Sequence, residues 1–108
     1  MVTQGSIIFI DFNPHSGHEQ AGKRPAVVIS NNLFNRVNNM TMVCPITSSR
    51  QKTPFQIPLD DRTMTHGVIL CDQVRMLDLN IRGYDFCENI PTDVLEEVLD
   101  VIKGIMEI

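Results

Sequence analysis

The hydrophobic period of this chain changes once, and that change limits the folds open to it. From Ser6 to Leu77 the apolar residues come in short, β-branched runs broken by turn formers, and such runs read as strands. From Val94 onward the spacing is helical: Val94, Leu95, Val98, Leu99, Val101, Ile102, Ile105 and Met106 recur at the 3.6-residue period. Thr92 is the expected N-cap. Asp93, Glu96 and Glu97 lie near the positive end of the helix dipole. The expected fold is mainly β with short helices, a twisted antiparallel sheet covered on one side by a C-terminal amphipathic helix, because so small a sheet needs a cover. With 108 residues, 1–108 is one domain. Its core buries a modest fraction of the surface, so dimerisation would add stability.

The expected strands are SIIFIDF (Ser6 to Phe12), AVVIS (Ala26 to Ser30), TMVCPIT (Thr41 to Thr47), FQIPL (Phe55 to Leu59), and Val68 to Cys71 with Val74 to Leu77 in VILCDQVRMLDL. Pro45 points to an edge or a bulge near the end of its strand. NNLFNRVNN has room for one helical turn, and NIRGYDFCENI reads as irregular.

The net charge is −4, but it is unevenly spread. Up to Tyr84 there are eight basic and six acidic residues; from Asp85 there are one and seven. The acid therefore lies mostly on the outer face of the terminal helix, where it serves solubility. The mildly basic remainder leaves room for RNA or another phosphate ligand but argues against a strong non-specific DNA binder. Cys44, Cys71 and Cys87 are odd in number and form no C-x-x-C pair, which points to reduced thiols in a cytoplasm. MVTQGSIIFI lacks a signal peptide's basic start. No apolar run approaches the ~20 residues of a membrane span, so no membrane role is expected.

Three stretches carry chemistry. The loop PHSGHEQAGKRP holds His15, His18 and Glu19, which read either as a solvated turn or as a metal site in weak loop spacing. Gly17 and Gly22 would let a backbone approach a phosphate. Pro25 biases Arg24 to an extended backbone, so its guanidinium is aimed from a loop-to-strand junction. That fork suits a phosphate held at two points, or an ordinary surface ion pair. PITSS ends a strand in hydroxyls that either bond a phosphate or make a turn. In CDQVR, Asp72 is either a base or the partner of Arg75. No G-x-S-x-G elbow is present, and Cys71 belongs to the core.

Taken in order, GSIIFIDFNPHSGHEQAGKRPAVVIS, FNRV, VCPITS, PFQIPL, GVILCDQVRMLD and the terminal helix resemble the MazF/PemK (Kid) family of toxin endoribonucleases of type II toxin–antitoxin systems. HEQ and FNRV look most like its PemK/Kid branch. The resemblance implies a small SH3-like barrel acting as a homodimer, with a cognate antitoxin. It implies cleavage of single-stranded RNA without metal or other cofactor, the 2′-hydroxyl attacking the adjacent phosphate to leave a 2′,3′-cyclic phosphate and a 5′-hydroxyl. In that scheme Arg24 of G-x-R-P stabilises the transition state and Thr47 of PIT bonds the scissile phosphate. Glu19 of HEQ and Asp72 of CDQ are alternative bases, and His18 positions RNA. The branch carries an arginine, proposed as the acid, where this chain has Leu70; Arg24, His18 or water then takes that part. Because an arginine pKa exceeds about 12, charge stabilisation suits Arg24 better than proton donation.

Lys23, Ser48, Ser49, Arg50, Gln73 and Arg75 are the expected RNA contacts, with Lys52 and Arg62 further candidates for following the backbone. Aromatics are scarce, with one Tyr and no Trp, so hydrogen bonds more than stacking should read the bases. The alternatives are a CcdB-like toxin that poisons gyrase and a non-catalytic SH3-like binding module, neither of which needs Arg24, Thr47 and Glu19 or Asp72 together.

Overall fold

Side-chain alternation along the apolar runs fills two cores, one on each face of a single antiparallel sheet. The computed structural model describes residues 1–12, 22–49 and 53–107. The elements are β1 (Ser6–Asp11), β2 (Lys23–Val28), α1 (Asn32–Val37), β3 (Thr41–Thr47), β4 (Gln56–Pro58), β5 (Val68–Leu70), β6 (Arg75–Leu77), α2 (Leu79–Arg82), β7 (Asp85–Asn89) and α3 (Thr92–Met106). On one face Ile7, Val27, Cys44, Ile46 and Ile69 pack beneath Val94 and Val98 of α3. On the other, Ile8, Ile10, Ala26, Val28 and Val43 pack with Val2, Leu77 and Leu79. Burying each such aliphatic side chain contributes about 1.5–3 kcal/mol. Val98 is fully buried, so the amphipathic spacing of α3 does lay its apolar stripe on the sheet as a cover.

The strand order is β4-β5-β3-β2-β1-β7, with β6 also on β3. β3 is thus central, and Pro45 marks neither an edge nor a bulge. On the side away from β2, β3 pairs with β6 over Thr41–Val43 and with β5 over Ile46–Thr47. Pro45 falls in the gap between these two partners, where a missing N–H costs no ladder bond.

β2 begins at Lys23 rather than Ala26, so Arg24 lies inside the strand, opposite Ile10 of β1. NIRGYDFCENI is not irregular. Asp78 accepts from the Asn80 and Ile81 amides and starts α2, and Gly83 (φ 74°) ends it. DFCEN then joins the edge of β1 as β7, although neither of its faces is buried enough to show alternation. α1 spans six residues and is capped by Asn31, whose carbonyl oxygen accepts from the Phe34 amide. Thr92 is not a cap: it is the first helical residue, and Pro91, which has no side-chain oxygen, holds the cap position.

No ladder joins β4 and β7 among the described residues, so the twisted sheet of this small barrel stays open. Side chains bridge the gap instead. The Glu88 carboxylate on β7 accepts from the Met64 amide (3.1 Å), the Thr65 amide (2.8 Å) and the Thr65 hydroxyl (2.8 Å) of the β4–β5 loop. Arg62 of that loop reaches Asp93 at the start of α3 (2.9 Å). Among the described residues no helix is long and apolar enough to cross a membrane.

Candidate active site

The β2–β3 ladder pairs Val28 with Val43, Val27 with Cys44 and Ala26 with Pro45, and stops there. It stops where the next β2 residue is Pro25 and the last β3 partner is Pro45, two residues with no N–H to give. The same register carried two residues further aligns Arg24 with Thr47. Directly opposed residues share a sheet face. Alternation agrees: Ala26, Val28 and Val43, which share parity with Arg24 and Thr47, belong to the core away from α3. By register and parity Arg24 and Thr47 fall on the same sheet face, two residues beyond the last β2–β3 pair, Arg24 exposed and Thr47 half-buried. An exposed arginine and a hydroxyl on one face at the end of a ladder are the donors a phosphate needs.

The Thr47 side chain is set by its turn. Its Oγ1 accepts from the Ser49 amide at 3.1 Å, which engages the oxygen and leaves the O–H as a donor. Its backbone is crowded on the other side. Gly67, at φ 129°, packs so closely on the Thr47 carbonyl that a Cβ there would overlap it, and the next residue, Val68, pairs with Thr47. Ser48 and Ser49 are exposed at this strand end.

Arg75, at the start of β6, pairs in register with Val43 and so lies on the face of Arg24 and Thr47. Its guanidinium stacks 5.1 Å from the centre of the Phe12 ring, a cation–π contact that steadies the arginine. It makes no ion pair with Asp72. Gln73 is exposed in the β5–β6 turn, where its amide bonds the Leu70 carbonyl (3.1 Å). Asp72, in that same turn, lines a cavity of about 330 Å³ with Cys71, Val74, Ile102, Ile105 and Met106. That cavity is on the α3 side. Within one chain the fold brings Arg24, Thr47 and Arg75 to one face and sets Asp72 toward the other.

The buried thiols also mark where Asp72 lies. Burial, then Cys71 and Asp72, push the Cys44 thiol up to about 12; burial, then Asp72 and Glu97, push Cys71 up to about 11. Both stay protonated and inert, in keeping with core positions.

Two expected RNA contacts have protein partners. Lys23 pairs with Asp85 at 2.9 Å, both ends exposed, and so weak a pair can yield to a phosphate. Arg62 is different: its guanidinium is forked between Asp60 and Asp93, each at 2.9 Å, which makes it a structural tie rather than a backbone tracker. Hydrogen bonds from Arg62 hold both carboxyls below their ordinary range. At Gly22 a Cβ would sit 2.5 Å from Asp11 Oδ1, so a side chain there would displace that carboxylate. His15, Gly17, His18, Glu19, Arg50 and Lys52 lie outside the described residues. Among those described, no group of three His, Cys, Asp or Glu side chains is placed to hold a metal ion.

Two features escaped the sequence reading. Phe12, beneath Arg75, looked like the end of an apolar run. Arg82 of α2 donates to the Asp11 carbonyl at 2.7 Å, fixing the end of β1 where the long loop departs; nothing local to NIRG signals that contact.

A family model described as PemK-like, MazF-like toxin of type II toxin–antitoxin system matches residues 3–106. The chain is 35% identical over 107 residues to endoribonuclease PemK of Escherichia coli, across 95% of this chain and 80% of that protein. It is 38% identical over 109 residues to endoribonuclease toxin ChpB of Escherichia coli strain K12, across 96% and 93%. Its fold is similar to that of MazF from Deinococcus radiodurans, with a TM-score of 0.85 and 34% identity over 97% of this chain and 96% of that one. MazE–MazF from the same organism gives a TM-score of 0.86 and 31% identity over 97% and 95%. With nearly its whole length matched, the chain belongs to the PemK-like, MazF-like family of toxins of type II toxin–antitoxin systems.

Proposed function

We propose that this toxin is an endoribonuclease that cuts single-stranded RNA by attack of a 2′-hydroxyl on the adjacent phosphate, giving a 2′,3′-cyclic phosphate and a 5′-hydroxyl end. Loss of mRNA would then stop translation and growth. The register and parity that put Arg24 and Thr47 on one sheet face carry the reading, and the endoribonuclease relatives at 35–38% identity support it. In this reaction charge builds on the phosphate oxygens, and a preorganised donor at such a site is worth about 2.7–4 kcal/mol of barrier. Arg24 supplies a fixed cation, the Thr47 hydroxyl a second donor, and Arg75 further positive potential.

The base is the open assignment. Glu19 precedes Arg24 by five residues, so the same chain can bring it to the phosphate. Asp72 lies on the α3 side and would reach the site from a second copy in a homodimer. His18 positions RNA, and water or His18 protonates the leaving oxygen. The scheme uses no metal. The working complex is a cytoplasmic homodimer, and its cognate antitoxin covers the RNA face. The test is incubation of the pure protein with mixed-sequence single-stranded RNA in EDTA, with analysis of the new ends. Cyclic-phosphate and 5′-hydroxyl ends are expected. RNA left intact, or a 5′-phosphate product, would refute the reading.

A further inference from the structure

The face that carries Arg24 and Thr47 holds a second concavity at its other end. Where the N-terminal segment, α1, the start of β3 and α2 meet, a cavity of about 320 Å³ opens, at the small end of the range of about 300–1,000 Å³ for ligand pockets. Val2 and Leu79 give it an apolar floor. Arg36, Asn39, Asn80 and Tyr84 stand around it, and no acidic side chain lines it.

One wall is built rigidly. Asn35 is buried; its amide donates to the Ser30 carbonyl (3.0 Å) and its carbonyl oxygen accepts from the Ser30 hydroxyl (2.5 Å). The Ser30 hydroxyl oxygen in turn accepts from the Met42 amide (3.0 Å). This frame fixes α1 against β3. By contrast, among the described residues no hydrogen bond occupies the side chains of Arg36, Asn39, Asn80 or Tyr84.

That set of groups has a chemical preference. Carboxamides carry a donor and an acceptor side by side and match the edge of a heterocyclic base. A tyrosine ring offers a stacking face, and an arginine pairs with phosphate. We propose that this cavity binds a nucleotide of the same RNA strand, well away from the cleaved phosphate. The inference rests on the nuclease reading above. β3 links the two places: Thr41 lines the cavity and Thr47 ends the strand at the candidate site. Six steps of about 3.3 Å separate them by roughly 20 Å, which is about six stacked nucleotides at ~3.4 Å each, and fewer in an extended strand.

The test compares two RNAs that contain a mapped cleavage sequence, blocked by a 2′-deoxy sugar at the cut. The short one ends at the site, and the long one extends far enough in either direction to reach the cavity. The wild type should bind the long RNA about tenfold more tightly, the gain expected of one stacked base. Arg36→Gln with Asn80→Ala, both exposed positions, should bring the ratio of the two affinities to one. A wild type that cleaves RNA but shows no length dependence, or a variant that keeps the wild-type ratio, would overturn the cavity assignment and leave the nuclease reading standing. Failure of the wild type to cleave or bind any RNA would bring down both. Chemical shifts at Tyr84 and Asn80 on adding free nucleoside monophosphates, without length dependence, would mark a separate nucleotide site and equally overturn the strand assignment.

Discussion

Glu88 holds the open ends of the sheet together, so its removal has a calculable cost. Its carboxylate takes the amide and hydroxyl of Thr65, a buried residue, and the amide of exposed Met64. In Glu88→Ala, Met64 turns to water, but the Thr65 amide is left with no acceptor and its hydroxyl with none better than the Cys87 sulfur 3.7 Å away. At about 1–3 kcal/mol for each buried group left unpaired, the variant should lose about 2–6 kcal/mol. At about 4–8 °C per kcal/mol, that lowers Tm by at least about 8 °C. Glu88→Gln keeps one acceptor oxygen and should lose about half as much. The cost should also depend on pH. Burial pushes the Glu88 carboxyl up, but hydrogen bonds from Thr65, Met64 and Cys87 outweigh it and hold the pKa below the ordinary 4.5. A depressed folded pKa gives stability that is complete above pH 4.5 and fades as pH falls through the folded value. Urea unfolding of wild type and Glu88→Gln, followed by circular dichroism from pH 7 to pH 3, should therefore show a gap that narrows below pH 4.5. Glu88→Ala within 0.5 kcal/mol of wild type, or a gap indifferent to pH, would refute the idea that this carboxylate closes the sheet.

Other expectations concern the site. Arg24→Ala should lower single-turnover cleavage by about 10²–10³, and Arg24→Lys should recover only part of it, because an ammonium lacks the planar fork; full activity in either would remove Arg24 from the phosphate. Thr47→Val should be far slower than Thr47→Ser, since only serine keeps the hydroxyl; equal rates would show that the hydroxyl is idle. Gly67→Ala should cost more than about 1 kcal/mol through its positive φ and also slow cleavage by displacing the Thr47 carbonyl; a stable, fully active variant would contradict the close packing. Glu19→Gln and Asp72→Asn, compared by kcat, should show the larger loss at the base. If that is Asp72, the site draws on two chains, and mixing Asp72→Asn with Arg24→Ala protein should restore activity.

Much of the sheet was legible because β-branched runs are local signals: β3 falls at the expected residues, and α3 follows its apolar spacing. β7 was not legible, because an edge strand with neither face buried carries no alternation and depends on β1 for its order. The start of β2 was misread for a related reason. Lys23 and Arg24 look like loop residues, and pairing with β1 makes them strand. Pro45 misled because its meaning depends on whether a partner lies beside it, which is a tertiary fact. The candidate site was legible only in its parts. GKRP and PIT gave the right residue types, but their alignment across β2 and β3 comes from the register, and the separation of Asp72 from them comes from the β5–β6 turn.

The three cysteines have an experimental consequence of their own. Cys44 and Cys71 lie in the core, whereas Cys87 is only half-buried and sits on β7, its sulfur 3.7 Å from the Thr65 hydroxyl. An alkylating reagent should therefore read two clocks in one molecule. The rate at Cys87 follows breathing of the seam that Glu88 holds, and the rates at Cys44 and Cys71 follow wholesale unfolding. A ligand on the Arg24 face should slow the second pair through mass action, and the first only as far as it also stiffens the seam.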